Sequence, residues 1–508
     1  MKTNVLVVGA GPVGLTMAAE LARYGVAVRI VDKAAQRTDK SKALVIWSRT
    51  LELMDRIGCT QAFISAGFKA SAINIIAGGT PIGRVSLDAI KSIYPYALIL
   101  PQSETERLLE QHLASRGVAV ERSCEMIQFN PRPNSVTVML KHADGREETL
   151  DVSWLIGCDG AHSAVRHGLG MQFEDNTLPS DWILADIHLS GVQLPPDELG
   201  LFWHSDGVLG LFPISPGRYR VIADVGQAKA DEHRPDPTLV EVQAVMDQRG
   251  PGGIIASSPI WLASFRINER KVADYRVGRV FLAGDAAHIH SPAGGQGMNT
   301  GMQDACNLAW KLAMVIRGLA GSEPLLDSYS IERSAVGRQV LKDAGRLTSL
   351  AVLRGGIAQE IRNHIASLVF GLTPIGKTMA NRLAELTVEY PKSPLTRAGH
   401  HSGGPAPGER APVTEMTSPV GAGDTPRFAL FAPGGPEAEN LISRFAHILE
   451  PNVRPPFADD GIWLVRPDGY VATAADKNGW PRIEEFLRDI LQAPTERKSI
   501  SISNDPVV

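Results

Sequence analysis

The chain is poor in several features that would narrow its function at once. It has four cysteines in 508 residues, Cys59, Cys124, Cys158 and Cys306, scattered and without a C-x-x-C pair. That spacing argues against a disulfide framework or a cysteine zinc site and fits buried thiols in a reducing, cytoplasmic compartment. No His/Cys/Asp cluster has metal-ligand spacing, so no metal is expected. No apolar run is long enough to cross a bilayer. The apolar N-terminus is broken by three glycines and Glu20, which reads as strand and helix, not as a signal peptide. Neither sign of charge dominates. A net charge of −4 offers no argument for nucleic acid or an anionic membrane as partner. Aromatic residues make up only 6%. What remains is an ordinary globular composition, 44% hydrophobic and 21% charged, in a chain long enough for two or three domains.

What the chain does have is a strand, loop and helix at its very start. Val5 to Val8 form a short apolar run, followed by Gly9, Gly11 and Gly14 in the pattern G-x-G-x-x-G. Gly9 permits a tight turn, Gly11 lets a pyrophosphate approach the backbone, and Gly14 lets the helix pack against the strand. A helix from Pro12 to about Tyr24 would aim its free N–H groups at that phosphate, with Val13 in its first turn. A second strand, Val26 to Val31, ends in Asp32 and Lys33, about 20 residues past the glycines, where a carboxylate can bind ribose hydroxyls.

Further along, Lys42-Ala43 and Arg49 place two cations after this unit, and Leu51, Met54 and Ile57 form a helical stripe. Residues 71–88 alternate weakly, as two strands. Ser103 to Glu106 reads as a capping box opening a helix to about Ser115, with Gln102 at its mouth. A buried strand, Trp154 to Gly157, ends in Asp159-Gly160, and Ser163 could cap the short helix after it. Alternating strands dominate 180–268, interrupted by one helix near 238–249. A third buried strand ends in Gly284-Asp285 and runs into a Gly-rich loop, Pro292 to Gly301, before a long helix. Such a loop offers backbone N–H groups to an electron-rich partner. Helices are expected at 327–352 and 355–389. Residues 391–426, with seven prolines and six glycines, read as a linker, and a small α/β unit follows.

Three motifs now stand in order: GAGPVG at 9–14, GCDGAHSAVR at 157–166, and GDAAH through PAGGQGMNTGMQDACNLAWKLA at 284–313. Together they resemble the FAD-dependent aromatic hydroxylases of the para-hydroxybenzoate hydroxylase fold, single-component flavoprotein monooxygenases. The C-terminal Leu464 to Val471 resembles the thioredoxin-like tail of the phenol and polyketide hydroxylase branch, here without a redox C-x-x-C. The resemblance implies an α/β fold: a Rossmann-like FAD domain in two parts (1–175 and 271–390), an inserted β-sheet substrate domain (176–270, joined by 71–100), the linker (391–426) and a thioredoxin-like C-terminal domain (427–508). It implies that Gly9, Gly11, Pro12, Val13 and Gly14 hold the FAD pyrophosphate. Asp32, with Lys33 beside it, would take the adenosine ribose. Lys42, Ala43, Arg49 and Gln102 match cofactor positions, and Asp159-Gly160 matches a motif linked to FAD and NADPH. Gly284 and Asp285 match the ribityl and pyrophosphate side. Pro292, Gly294, Gly295, Gln296, Gly297, Met298 and Asn299 match the loop against the isoalloxazine.

The family's chemistry uses NADPH or NADH to reduce FAD. O₂ then forms a flavin C4a-hydroperoxide that hydroxylates a phenol. Polar candidates for deprotonating the phenol are His204, Tyr219, Arg218 and His290; His288 reads better as a structural hydrogen-bonder. The substrate side looks apolar, with Trp47, Trp203, Leu211, Phe212 and Pro292, which favours a phenolic or polycyclic, polyketide-like aromatic. The same flavin chemistry could instead give Baeyer–Villiger insertion, epoxidation or oxidative loss of a substituent. A two-component enzyme fed by a separate reductase, or a flavoprotein that binds a ligand without turnover, are the other readings. A homodimer is conceivable.

Overall fold

The computed structural model describes residues 3–227, 234–321, 323–351, 373–399, 403–414 and 418–491. Its organising element is a sheet built on the first strand. Val5–Val8 is completely walled in and pairs in parallel with Val28–Asp32 on one side and Trp154–Gly157 on the other. Trp154–Gly157 pairs in turn with Val280–Leu282, also in parallel, and Val120–Arg122 and the antiparallel Arg276–Val277 close the two edges. Apolar runs without alternation are what strands covered on both faces require.

The register brings Val8, Gly157 and Leu282 into one row. The three glycine-acid motifs, far apart in the chain, therefore leave the sheet side by side at its carboxyl edge, where open α/β sheets bind ligands.

The helices are α1 (Pro12–Arg23), α2 (Ser48–Ile57), α3 (Thr60–Ala66), α4 (Gln102–Ser115), α5 (Ala164–Gly168), α6 (Leu239–Arg249), α7 (Gly297–Ile316), α8 (Glu323–Ala351), α9 (Thr373–Leu383), α10 (Pro436–Arg444) and α11 (Trp480–Leu491). Part of the helix expected over 355–389 lies outside the described residues. The capping box expected at Ser103 does not form. Helix α4 starts two residues earlier, with Pro101 at its N-cap, and Glu106 accepts instead from Gln102 at 2.9 Å while Glu104 pairs with Arg107. Pro101 sets the helix start, so Ser103 is already inside the first turn. Ser163 does cap α5, accepting from the Arg166 N–H at 2.9 Å.

The alternating stretch forms a sheet of eight strands among the described residues. Its order is His288–Ile289, Ile255–Lys271, Glu174–Ser190, Arg218–Gln227, Gly207–Ser215, Glu198–His204, Ala72–Ala77, Thr80–Ser86. Ala97–Ile99 belongs instead to a small sheet with Val45–Ile46 and Phe68–Ala70. One face of the eight-stranded sheet packs on α6 through Leu209, Leu211, Val221, Val242 and Met246. The other face, with Leu199, Phe212 and Ile214, packs toward Trp47 and α9.

The proline-rich stretch is threaded against the C-terminal strands. Backbone bonds join Arg397 to Ala472, Gly408 to Val471 and Ala411 to Gly469. The turn Arg466 to Tyr470 inserts between α2, α7 and α8. Arg466 is wholly buried and bonds bidentately to Glu332 (2.6 and 2.9 Å) and to Asp468 (3.0 and 2.6 Å). Lys311 joins Glu332 at 2.7 Å, and Arg49 and Arg56 donate to the Asp468 and Pro467 carbonyls. Burial works against the Glu332 charge, but Arg466 and Lys311 outweigh it and hold the carboxyl far below its usual range; burial brings Lys311 down to about 8.

Removing one partner of such a network strands the others in a dry interior, at a cost of about 3–5 kcal/mol. Glu332→Ala is expected to lose that much in denaturant unfolding. The depressed carboxyl stabilises the fold fully above the unfolded carboxylate range and progressively less as pH falls below it. The deficit of the variant should therefore shrink in acid, and a deficit below 1 kcal/mol at neutral pH would show that the turn is held by packing alone.

Candidate active site

Each strand end is shaped by its glycines. Gly9 is left-handed at φ +99°, and a side-chain carbon there would lie 2.4 Å from the Cys158 carbonyl oxygen of the next strand. A carbon on Gly14 would lie 1.9 Å from the Gly9 oxygen, so α1 rests directly on the loop. Gly11 differs: no protein atom lies within 4 Å of the place its side chain would fill. Pro12 occupies the first position of α1, and among the described residues no side chain caps this helix. Asp32 accepts from Ala10 N–H at 2.6 Å and from Ala34 N–H at 2.8 Å, with Arg122 3.9 Å away. It braces the glycine loop as well as facing the cleft, and Lys33 beside it is exposed.

The second and third motifs meet the first. Asp159 accepts from Ser163 Oγ at 2.5 Å and from the Val165 N–H, and Gly160 is left-handed. Arg166 donates to the Ala161 and Ala286 carbonyls, joining this turn to the one at Gly284. Gly284, also left-handed, and Gly301 of α7 both press on Val13 of α1. Asp285 is accessible to solvent, and desolvation by the protein packed around it raises its carboxyl. Below it Asp304 is a buried hub. It accepts from Gly284 N–H (3.0 Å), His288 Nε2–H (2.7 Å) and Arg333 Nε–H (2.6 Å). Burial opposes its charge, but Arg333 and His288 hold it ionised. His288 is thus a structural donor.

The glycine-rich loop is held from behind. Asn299 accepts from Trp47 N–H and donates to the Val45 and Gly295 carbonyls, all at 2.8–2.9 Å. The Trp47 indole N–H donates to the Gly294 carbonyl at 2.8 Å. Gln296, at the N-cap of α7, sends its amide to the Arg382 and Leu383 carbonyls, so no side chain caps this 20-residue helix among the described residues. Gly297 and Met298 are half-buried at its start, and Pro292 is exposed at the loop's head. Gln102 accepts from Ala43 N–H at 3.2 Å. Lys42 is exposed, and its carbonyl accepts from Arg220 at 2.9 Å. Arg49 is not free to turn toward the loop. Its guanidinium is spent on Glu52, the Asp468 carbonyl and the Tyr470 ring.

On the substrate side the structure separates residues that the sequence left together. Trp47 and Phe212 share one apolar cluster with Leu199, Ile214 and Leu383. Trp203 packs with Trp182, Val208 and Ile267. Leu211 and Tyr219 point to the opposite face, into the α6 core, because strand alternation puts them one residue out of phase with Phe212 and Arg220. His204 sits at a hairpin end beside Asp206. His290 stacks on His288 at 5.5 Å, and burial, then the neighbouring His288, lowers it to about 3, so it stays neutral and is a poor base. Arg218 lies 3.6 Å from Asp186. The residue that matters there is Arg220, buried and bidentate to Asp186 at 2.7 and 2.9 Å. The alternation Arg218-Tyr219-Arg220 carried that signal, but only the register shows which phase faces the cleft.

Two helices with uncapped N-termini meet through Val13, Gly284 and Gly301, and the first leaves room for a group over Gly11. An anionic diphosphate fits the first, and an electron-rich ring that gains charge fits the second. Residues 2–344 match the family described as the FAD binding domain. The chain belongs to that family. It is 35% identical to a 6-methylpretetramide 4-monooxygenase of Streptomyces rimosus, over 97% of this chain and 94% of that protein. It is 31% identical to a pentachlorophenol 4-monooxygenase of Sphingobium chlorophenolicum, over 84% and 77%. The solved structure of an anhydrotetracycline hydroxylase from Streptomyces rimosus superposes with a TM-score of 0.80 at 28% identity, covering 97% of this chain and all of that one. This flavoprotein has the hydroxylase fold, and FAD is its cofactor, with NAD(P)H as co-substrate. No described helix is long and apolar enough to cross a membrane.

The two glycines make opposite predictions. Gly11→Ala keeps ordinary backbone angles and meets no protein atom. It should leave apoprotein stability within about 0.5 kcal/mol yet weaken FAD binding at least about tenfold, about 1.4 kcal/mol. Gly14→Ala should destabilise the apoprotein itself by about 1–3 kcal/mol. Fluorescence titration with FAD and apoprotein melting check both; equal effects would remove the phosphate seat from Gly11.

Proposed function

We propose that this flavoprotein uses NAD(P)H and O₂ to place one oxygen atom on a phenolic, polycyclic aromatic of the polyketide kind. The observation that carries this reading is the meeting of two uncapped helix N-termini, whose helices touch through Val13, Gly284 and Gly301, with the apolar cluster of Trp47 and Phe212 beside the second. The names of the relatives, acting on tetracycline-type polyketides and on a chlorophenol, support the substrate class.

Bound FAD would supply the hydride-accepting and oxygen-activating chemistry. The chain's own residues do the rest. The N–H groups of α1 and Gly11 would hold the diphosphate, and Asp32 the ribose. Asp285 and Asp159 line the cleft between them. The first-turn N–H groups of α7, at Gly297 to Asn299, would hold negative charge at the reacting ring, with Asn299, Trp47 and Gln296 fixing the loop that presents them. The apolar cluster around Phe212, Trp47 and Leu383 would seat the aromatic and exclude water. Arg220, tied to Asp186 and to the Lys42 carbonyl, joins the substrate sheet to the flavin side. With His290 neutral, Tyr219 on the far face and His204 at a hairpin end, none of these is placed as a base, and we assign none.

The test is NADPH consumption by the FAD-loaded protein with a panel of phenols and hydroxylated polycyclic aromatics, followed by product mass. Strong stimulation by a polycyclic phenol, with one oxygen from O₂ added, is expected. A product that loses a ring substituent would shift the reading to oxidative displacement. A bound flavin that NADPH never bleaches with any compound would overturn it. With the stimulating aromatic in hand, Phe212→Ala should raise its apparent KM about tenfold, the worth of a lost apolar contact, and an unchanged KM would take Phe212 out of the substrate wall.

A further inference from the structure

Helix α9 ends where a glycine would be cheapest. Glu385 has φ +58°, its N–H donates to the Arg382 carbonyl at 3.1 Å, and Leu386 N–H donates to Asn381 at 3.0 Å. This is a left-handed helix stop, a position that normally favours glycine or asparagine. The chain instead keeps a glutamate there, 2% exposed. Its carboxyl accepts from Thr300 Oγ1 at 2.8 Å and from Gln303 Nε2 at 2.6 Å. Thr300 and Gln303 lie in the first two turns of α7, whose uncapped N-terminus faces the cleft.

The charged groups around it are committed elsewhere. From α7, Asp304 bonds to Arg333; from α8, Arg333 spends its donors on Asp304, the Tyr390 hydroxyl and the Thr300 carbonyl. Arg382, on the same segment, pairs with Asp343. Glu385 has neutral donors and, among the described residues, no cation within ion-pair distance. Burial raises its carboxyl to about 7, outweighing the Thr300 and Gln303 hydrogen bonds and the more distant Arg333 charge, which favour the ionised form. Both charge states are therefore accessible near neutral pH.

We propose that Glu385 is a proton-linked positioning residue of the flavin, ionised while the flavin is oxidised and protonated when the flavin at the N-terminus of α7 carries negative charge. The inference rests on the flavin seat described above. The balance is simple. A hydride from NAD(P)H brings two electrons and one proton to the flavin, which becomes anionic. One further proton passes from solvent to the Glu385 carboxylate. Reoxidation by O₂ returns that proton to solvent. The physical cause is repulsion, since a second negative charge behind the first turns of α7 opposes the charge those turns stabilise.

The test is the reduction potential of bound FAD measured against pH for the wild type, Glu385→Gln and Glu385→Gly. Gln can keep both hydrogen bonds, and Gly suits the left-handed backbone, so the two carboxyl-free variants fail to fold for different reasons if at all. Around neutral pH the wild-type potential should fall with pH up to twice as steeply as in either variant, because two protons accompany two electrons instead of one. Equal slopes with flavin bound overturn the inference and leave the flavin seat standing, whereas a wild type that takes up no FAD overturns both. Melting of the apoprotein gives a flavin-free readout. A carboxyl raised in the folded state costs stability as pH rises from the unfolded range through about 7. Glu385→Gln should therefore gain on the wild type between pH 5 and pH 8, and a constant difference counts against a buried titrating carboxyl.

Discussion

The structure hangs on one buried carboxylate. Asp304 takes three donors from three different parts of the chain: the Gly284 turn that ends a central strand, His288 that starts the crossing into the eight-stranded sheet, and Arg333 of α8. A hydrogen bond from a charged donor is short and directional, and inside a dry interior it cannot be traded for water. These bonds therefore set the rotation of α7 about its axis as well as its distance. Rotation matters because the same helix presents Asn299 to the glycine-rich loop and Gly301 to α1. A turn of the helix by one residue would drive a side chain into Val13.

Two further networks stand apart from that hub, with different roles. The one through Arg466, Glu332 and Lys311 fastens the C-terminal turn to α7 and α8, and Arg49, spent on Asp468, ties it to α2 as well. The one through Arg220 and Asp186 fastens the substrate sheet to the Lys42 carbonyl. Both leave the uncapped N-termini of α1 and α7 untouched. Rigid parts thus surround an unsatisfied edge, and that contrast is what a cofactor site needs, since the free N–H groups must wait for an anion without collapsing onto the protein.

Much of this was legible in the residues. The three glycine-acid motifs were visible because turn geometry is dictated locally, and Gly9, Gly160 and Gly284 all take the left-handed backbone that only glycine adopts freely. His288 as a structural donor was legible too, from its place after Gly-Asp. Strand phase was not. Leu211 and Phe212 are equally apolar, Tyr219 and Arg220 equally able to hydrogen-bond, and a shift of one residue exchanges the faces. Arg49 matched a cofactor position by resemblance, whereas its guanidinium is spent on Glu52 and on the Asp468 carbonyl, over four hundred residues away. Glu385 carried no signal at all, since nothing local marks a glutamate whose partners are Thr300 and Gln303.

The buried charges invite a question about cost. Packed apolar residues in place of an ion network are often as stable or more so, so stability alone does not explain why Asp304, Arg333, Glu332 and Arg466 are all wholly or nearly wholly buried here. Apolar contacts tolerate sliding, whereas a bidentate pair does not. The helix whose N-terminus we propose to meet a reacting ring is held by directional bonds to buried charged groups along its length, at Thr300, Asp304, Asn307 and Lys311. The network is best understood as a means of aiming α7, with stability as a secondary consequence. The same reasoning explains why Glu385, alone among these carboxyls, has no cation within ion-pair distance among the described residues. A fixed counter-ion would hold it charged permanently, and then it could not respond to charge arriving at the other end of the helix.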